Sequence, residues 1–121
     1  HNQNYYIKNI EMLASNLIIE KKFFIKIGKY DENLLGSEDK DLLIKIVNSK
    51  QKILINNNTL VNYRIHSKSQ ASGKNNFHYL QVFGKINFYK KYFNKMNLYT
   101  KLRMFLQIIY FYTFYKIKNK S

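Results

Sequence analysis

Residues 28–41 read GKYDENLLGSEDKD, and this acidic stretch holds five of the seven acidic residues in the chain. No Asp or Glu follows Asp41, so any carboxylate acid–base chemistry is expected here. An apolar run with helical spacing begins at Leu42, which makes Gly36 and Ser37 the turn and cap of a helix over residues 38–48. Acids in the first turn are favoured by the helix dipole. Without other evidence, such acids are also explained as ordinary compensation of the helix dipole, with no role in catalysis.

Charge divides the chain of 121 residues, which is long enough for one domain. Residues 1–41 hold six Lys and seven acids, a net charge of −1, whereas residues 42–121 hold fifteen Lys or Arg and no acid, a net charge of +15. The basic part is expected to bind phosphate groups, either of nucleic acid or of anionic lipid. The absence of cysteine excludes disulfides and thiolate metal sites and is typical of a reducing compartment.

Short elements are predicted on both sides of the acidic stretch. Residues 21–27 have helical spacing and stop at Gly28, where a C-terminal cap is expected. Residues 13–19, 52–55 and 60–65 have the composition or alternation of strands, and residues 67–76 have loop composition. Together these patterns predict an α/β fold.

The C-terminal part, from Phe77 onward, predicts two helices that break near Asn97. Both mix aromatic residues with lysines. The most apolar piece, residues 104–115, is shorter than the roughly eighteen residues that cross a bilayer. Such helices suit a membrane interface or packing on the domain, and the sequence favours neither.

Three pieces of the first 72 residues occur together in a specific order: a small polar entry and strand at 15–19 with the following GKYDE, then GSEDKD at 36–41, then YRIH at 63–66 with Ser69 beyond. This arrangement resembles the C-terminal half of family 2 glycosyltransferases of the inverting GT-A type. The resemblance implies a partial GT-A nucleotide-diphospho-sugar transferase fold, the α/β acceptor half, over residues 1–75. A basic aromatic helical appendix would follow over residues 76–121.

The resemblance also implies roles for particular residues. Asp39 would be the catalytic base that takes the proton of the acceptor hydroxyl. Arg64 would contact the diphosphate, and His66 would ligate a divalent metal, Mn or Mg, whose other ligands lie mostly outside this chain. The acceptor would be bound by four further residues, Glu38, Asp41, Ser15 and Asn16. Asp39-Lys40-Asp41 is formally a D-x-D motif, but it opens a helix, whereas the metal motif of the family closes a strand.

The implied partners are a nucleotide-sugar donor and a glycan or lipid-linked acceptor, in cell-surface polysaccharide or lipopolysaccharide synthesis. The expected location is the cytoplasm, at or near the inner face of the plasma membrane. The dozen residues before residue 13 cannot supply a nucleotide pocket, so this chain alone is expected to be inactive, as part of a longer protein or as a remnant.

A competing hypothesis is a non-catalytic basic module that binds anionic membrane or nucleic acid. Nucleic acid is the less favoured ligand, because no aromatic RNA-binding signature is present. The transferase hypothesis requires that Asp39 and His66 line opposite walls of one cleft.

Overall fold

The computed structural model describes residues 3–7, 16–54, 58 and 77–118. Five α-helices lie within these ranges: α1 (Asn4–Ile7), α2 (Lys21–Lys26), α3 (Glu38–Asn48), α4 (Phe77–Tyr92) and α5 (Leu98–Lys118). Short 3-10 turns lie at Glu32–Leu34, before α3, and at Phe93–Lys95, between α4 and α5.

The helix predictions near the acidic stretch are confirmed. α3 has the bounds that its apolar spacing predicted. α2 ends just before Gly28, which has a φ of 91°, a left-handed conformation that glycine adopts without strain. Leu42 and Ile46 of the predicted apolar stripe are buried. Ile44 is buried as well, because it joins the core cluster.

The predicted α/β fold is wrong, since the described residues form helices and turns and contain no strand. Two of the expected strands are described in part, at 16–19 and 52–54, and neither is paired in a ladder. Ile18 and Leu54 are 95% and 81% exposed there, so no neighbouring strand covers them. The third expected strand, at 60–65, lies outside the described residues. The described residues therefore do not form the expected GT-A acceptor half.

The two C-terminal helices are confirmed, but they are not an appendix. The core cluster combines Ile44 of α3 and Leu34 of the first 3-10 turn with Phe88 and Tyr92 of α4. Tyr6 of α1 completes an aromatic group with these rings, at 5.3 Å from Tyr92 and 6.5 Å from Phe88. The predicted boundary after residue 75 falls outside the described residues, and the core draws on both sides of it.

α5 packs with one side against α4 and α1, burying Thr100 and Met104. Asn97 caps it by accepting a 2.8 Å hydrogen bond from the backbone N–H of Thr100. Gln3 fixes the same corner, since its amide donates to the carbonyl of Lys95 and accepts from the N–H of Asn97. None of the helices described is both long and apolar enough to cross a membrane.

Candidate functional site

The acidic stretch folds as two consecutive turns that deliver the chain to α3. The carboxylate of Asp31 caps the first turn, accepting 3.1 Å hydrogen bonds from the backbone and side-chain nitrogens of Asn33. Gly36, with a φ of 81°, makes the second turn. Ser37 holds the cap position of α3 and its carbonyl accepts from the N–H of Asp41, but its side chain makes no capping bond.

Gly84 lets α4 lie directly on this turn. A Cβ at residue 84 would overlap the backbone carbonyl oxygen of Leu35 and press on the Oγ of Ser37. One turn further along α4, the amide of Asn87 donates a 2.9 Å hydrogen bond to the carbonyl of Asn33. The position of the acidic stretch is therefore set by the surface of α4.

Asp41 lies at the centre of a cluster with Lys45, Lys91 and Tyr92, named the buried charged cluster for its buried carboxylate and phenol, whereas Lys45 is half-buried and Lys91 exposed. The Asp41 carboxylate has no exposed surface. The hydroxyl of Tyr92 donates to Oδ1 at 2.7 Å, the ammonium of Lys91 lies 2.6 Å from Oδ1, and that of Lys45 lies 2.8 Å from Oδ2. Burial opposes ionisation of Asp41, but these three donors outweigh it and lower the pKa of the carboxyl.

The buried charged cluster extends back into the acidic stretch through its two lysines. Lys91 also binds Asp31 at 2.7 Å, and this bond lowers the pKa of the Asp31 carboxyl together with the bonds from Asn33. Lys45 donates to the carbonyls of Gly28 and Lys29, at 3.1 and 2.8 Å. The cluster thus ties the turn after α2, the acidic stretch, α3 and α4 together.

Glu38 and Asp39 also lie in the first turn of α3, and both are half-buried. Burial and the nearby negative charges of Asp39 and Glu38 raise the pKa of the Tyr30 phenol. The Oε2 atom of Glu38 is buried with no hydrogen-bond partner. The two carboxylates therefore share one partly shielded, negatively charged corner near Tyr30.

Lys40, the residue between the two aspartates, points into the core. Its ammonium donates a 2.6 Å hydrogen bond to the carbonyl of Tyr6 and lies 4.9 Å from the centre of the Phe88 ring. Burial, with the nearby positive charge of Lys85, lowers the pKa of Lys40 to about 8. The middle residue of the motif therefore fastens α1 to α3 and α4.

An open depression of about 540 Å³ lies at the other end of α3. Lys45, Lys91 and Lys95 make it basic, and Tyr92 lies beside them. Three of its lining residues, Lys45, Lys91 and Tyr92, also contact Asp41 in the first turn of α3, but neither Glu38 nor Asp39 lines the depression.

The structure brings together three of the predicted site residues and separates one. Glu38, Asp39 and Asp41 share the first turn of α3, but Asp41 faces the core, away from any acceptor in solution. Asn16 is exposed and lies before α2. Ser15, Arg64 and His66 lie outside the described residues, so their roles, and the shared cleft of Asp39 and His66, stay predictions.

The predicted metal site also stays a prediction. Within the ranges that the structure describes, no three His, Cys, Asp or Glu side chains converge as metal ligands would. The resemblance assigns the metal to His66 and to ligands that lie mostly outside this chain.

Sequence reasoning missed the residues of α4 that hold the site, Gly84, Lys91 and Tyr92. Asp41 and Lys45 are four residues apart in a helix, a spacing that indicates an ion pair. No comparable signal links Asp41 with residues 91 and 92, because their contact depends on how α4 packs.

The family model for "Glycosyltransferase like family 2" matches residues 2–121. No curated protein and no solved structure matches the chain. The family match covers the acidic stretch, the buried charged cluster and both C-terminal helices, and so extends beyond the segment that carries the motifs. The chain belongs to the glycosyltransferase-like family 2.

Proposed function

We propose that this protein transfers a sugar from a nucleotide-sugar donor to an acceptor hydroxyl with inversion at the anomeric carbon. The acceptor would be a glycan or a lipid-linked sugar, in the synthesis of a cell-surface polysaccharide or lipopolysaccharide. Membership of the family supports sugar transfer. The observation that carries the choice of Asp39 as base is its half-buried position in the first turn of α3, where Asp41 by contrast has no exposed surface.

The three carboxylates of the motif differ in what they can reach. Asp41 has no exposed surface and is engaged by Tyr92 and two lysines. Glu38 has one oxygen buried. Asp39 is half-buried and its charge acts on the nearby phenol of Tyr30, and each carboxylate oxygen accepts more than one hydrogen bond. A sugar hydroxyl is the same kind of donor as that phenol, so Asp39 is suited to receive it.

The proposed reaction is a single displacement. The acceptor oxygen attacks the anomeric carbon of the donor, and its proton passes to the carboxylate of Asp39. The bond from that carbon to the diphosphate oxygen breaks on the opposite face, and nucleoside diphosphate leaves with the bonding electrons. The helix N-terminus favours the ionised form of Asp39, which is the form that accepts the proton.

The test is transfer by the intact protein carrying Asp39→Asn, with a panel of nucleotide sugars and lipid-linked acceptors. The amide keeps the shape and the contact with Tyr30 but cannot accept the proton, so transfer is expected to fall by a factor of roughly 10² to 10⁴. NMR of the product would show whether the anomeric configuration is inverted.

Glu32→Gln is the matched control, because Glu32 is exposed in the preceding 3-10 turn and has no place in the proposed chemistry. Its activity is expected to equal that of the wild-type protein. Transfer by Asp39→Asn at the wild-type rate would remove Asp39 as the base, and a product with retained configuration would overturn the single displacement.

A further inference from the structure

The outer side of α5 presents a long apolar surface. Thr100 and Met104 face the core, whereas most large side chains around the rest of the helix are exposed. Along this side runs an outer stripe with helical spacing: Leu98, Leu102, Phe105, Leu106, Ile109 and Tyr112. α5 has 21 residues and so is about 31 Å long. These side chains are between 42% and 83% exposed.

The charge around this surface has one sign. No acidic residue occurs after Asp41, so every charged side chain in the part of the chain that contains α4 and α5 is positive. Arg103 and Lys116 are exposed on α5, and Lys90 and Lys95 are exposed just before it. An apolar and aromatic helix face bordered by lysines and arginines complements a surface that is apolar inside and anionic outside.

We propose that the outer stripe of α5 lies in the headgroup region of an anionic membrane, with the helix parallel to the bilayer plane. The exposed leucines and phenylalanine would enter the acyl boundary, and the lysines and arginine would contact lipid phosphates. Tyrosines suit the same depth, because a ring of this type is apolar with a polar tip.

Dimerisation through the outer stripe of α5 explains the exposed surface less well than membrane binding does. Leu98, Leu102, Phe105, Ile109 and Tyr112 alternate at four and three residues, the spacing of a coiled-coil seam. Two copies, however, would bring together surfaces with the same positive charge, which repel. The exposed apolar side is also wider than such a seam, since Leu106, Tyr110 and Ile117 flank it.

Fluorescence tests the proposal directly, because the chain contains no tryptophan. Leu106→Trp places a single probe on the outer stripe, and its emission is expected to shift to the blue when phosphatidylglycerol-containing vesicles are added. Leu54→Trp is the matched control, since Leu54 is 81% exposed and far from α5 in sequence. Its emission is expected to stay unchanged. An unshifted Leu106→Trp spectrum overturns the proposal.

Co-sedimentation with vesicles separates the apolar and charged contributions. Leu102→Gln with Leu106→Gln is expected to weaken binding at least tenfold, since each removes an exposed leucine side chain that the membrane would bury. Ile18→Gln with Leu54→Gln alters two equally apolar exposed residues elsewhere and is expected to bind as the wild type does. Arg103→Gln and Lys116→Gln should each cost about fivefold with anionic vesicles and little with neutral phosphatidylcholine.

Three outcomes would contradict membrane docking. One is equal binding by the α5 variant and its control. Another is a Leu106→Trp emission that is already blue-shifted without vesicles in a dimer, as shown by analytical ultracentrifugation, and that vesicles do not change. The third is binding of single-stranded RNA with no vesicle binding, which would assign the positive charge to nucleic acid.

Discussion

The hydroxyl of Tyr92 donates a 2.7 Å hydrogen bond to the buried carboxylate of Asp41, 51 positions earlier in the chain. This bond fastens the end of α4 to the first turn of α3, where Glu38 and Asp39 also lie. Lys91 joins the same carboxylate from the neighbouring position on α4. The geometry of the acidic motif therefore depends on a helix that the motif itself does not predict.

Tyr92→Phe removes this hydroxyl and keeps the ring in the core. A hydrogen bond to a charged group contributes about 1.5–3 kcal/mol, so the free energy of unfolding is expected to fall by about 2 kcal/mol. Chemical denaturation followed by circular dichroism measures the change. Tyr110→Phe is the control, because Tyr110 is 63% exposed on α5, and its stability is expected to match that of the wild type. An equal loss in both variants would contradict a specific role of the buried bond.

Asp41→Asn leaves Lys45 and Lys91 facing a neutral amide. Removing one member of a fully buried ion pair costs about 3–5 kcal/mol, but the side chains of Lys45 and Lys91 are 19% and 32% exposed, so a smaller loss of stability is expected at neutral pH. Because the pKa of Asp41 is lower in the folded protein, the unfolded chain takes up its proton first as the pH falls, and the stabilisation by Asp41 is lost.

The difference between wild type and Asp41→Asn should consequently shrink below about pH 4, the ordinary range of the carboxyl. Denaturation midpoints measured from neutral pH into this range would show it. The stability of the variant will still fall somewhat as the pH falls, because the pKa of Asp31 is lowered too. A stability difference that stays constant with pH would exclude Asp41 as a charged group in the core.

Gly84→Ala puts a methyl group against the carbonyl oxygen of Leu35. Alanine is favoured over glycine in a helix by about 1 kcal/mol, so a mutation without a clash would stabilise α4. Overpacking costs about 1–3 kcal/mol, and the neighbouring atom is backbone, so net destabilisation is expected in thermal denaturation. Lys90→Ala, at an exposed position of the same helix, should change stability little. A more stable Gly84→Ala protein would show that α4 does not press on the turn.

Lys40→Met tests the buried amine. The pKa of Lys40 is lowered to about 8 by burial and by Lys85, so between pH 8 and its ordinary value of 10.5 the unfolded chain binds the extra proton. The stability of the wild type is therefore expected to rise with pH at the lower end of this window, by at most about 1.4 kcal/mol per pH unit. The stability of Lys40→Met should rise less steeply with pH, because the variant lacks this amine. The free energy of unfolding is measured by urea denaturation at pH 8 and at pH 9. If it changes by the same amount in the wild type and in Lys40→Met, the pKa of Lys40 is not lowered.

The helices could be predicted from sequence because their signals are local. Gly28 and Gly36 adopt left-handed φ values of 91° and 81°, and the apolar run after Asp41 starts α3 where its spacing indicated. The described parts of two predicted strands, at 16–19 and 52–54, are not paired as strands, for the opposite reason. Ile18 and Leu54 lie in segments of strand-like composition, but a strand also needs a neighbouring strand to satisfy its backbone, and residue composition does not supply one.

The sequence by itself determined the family resemblance, the helix bounds around the acidic stretch and the one-sided positive charge after Asp41. Tertiary structure decided which acids are accessible: α4 crosses the turn at Gly84 and brings Tyr92 and Lys91 onto Asp41, which leaves Asp39 beside Tyr30. Spacing along one helix fixes which residues share a face, whereas burial of a carboxylate depends on contacts between residues that are distant in the chain.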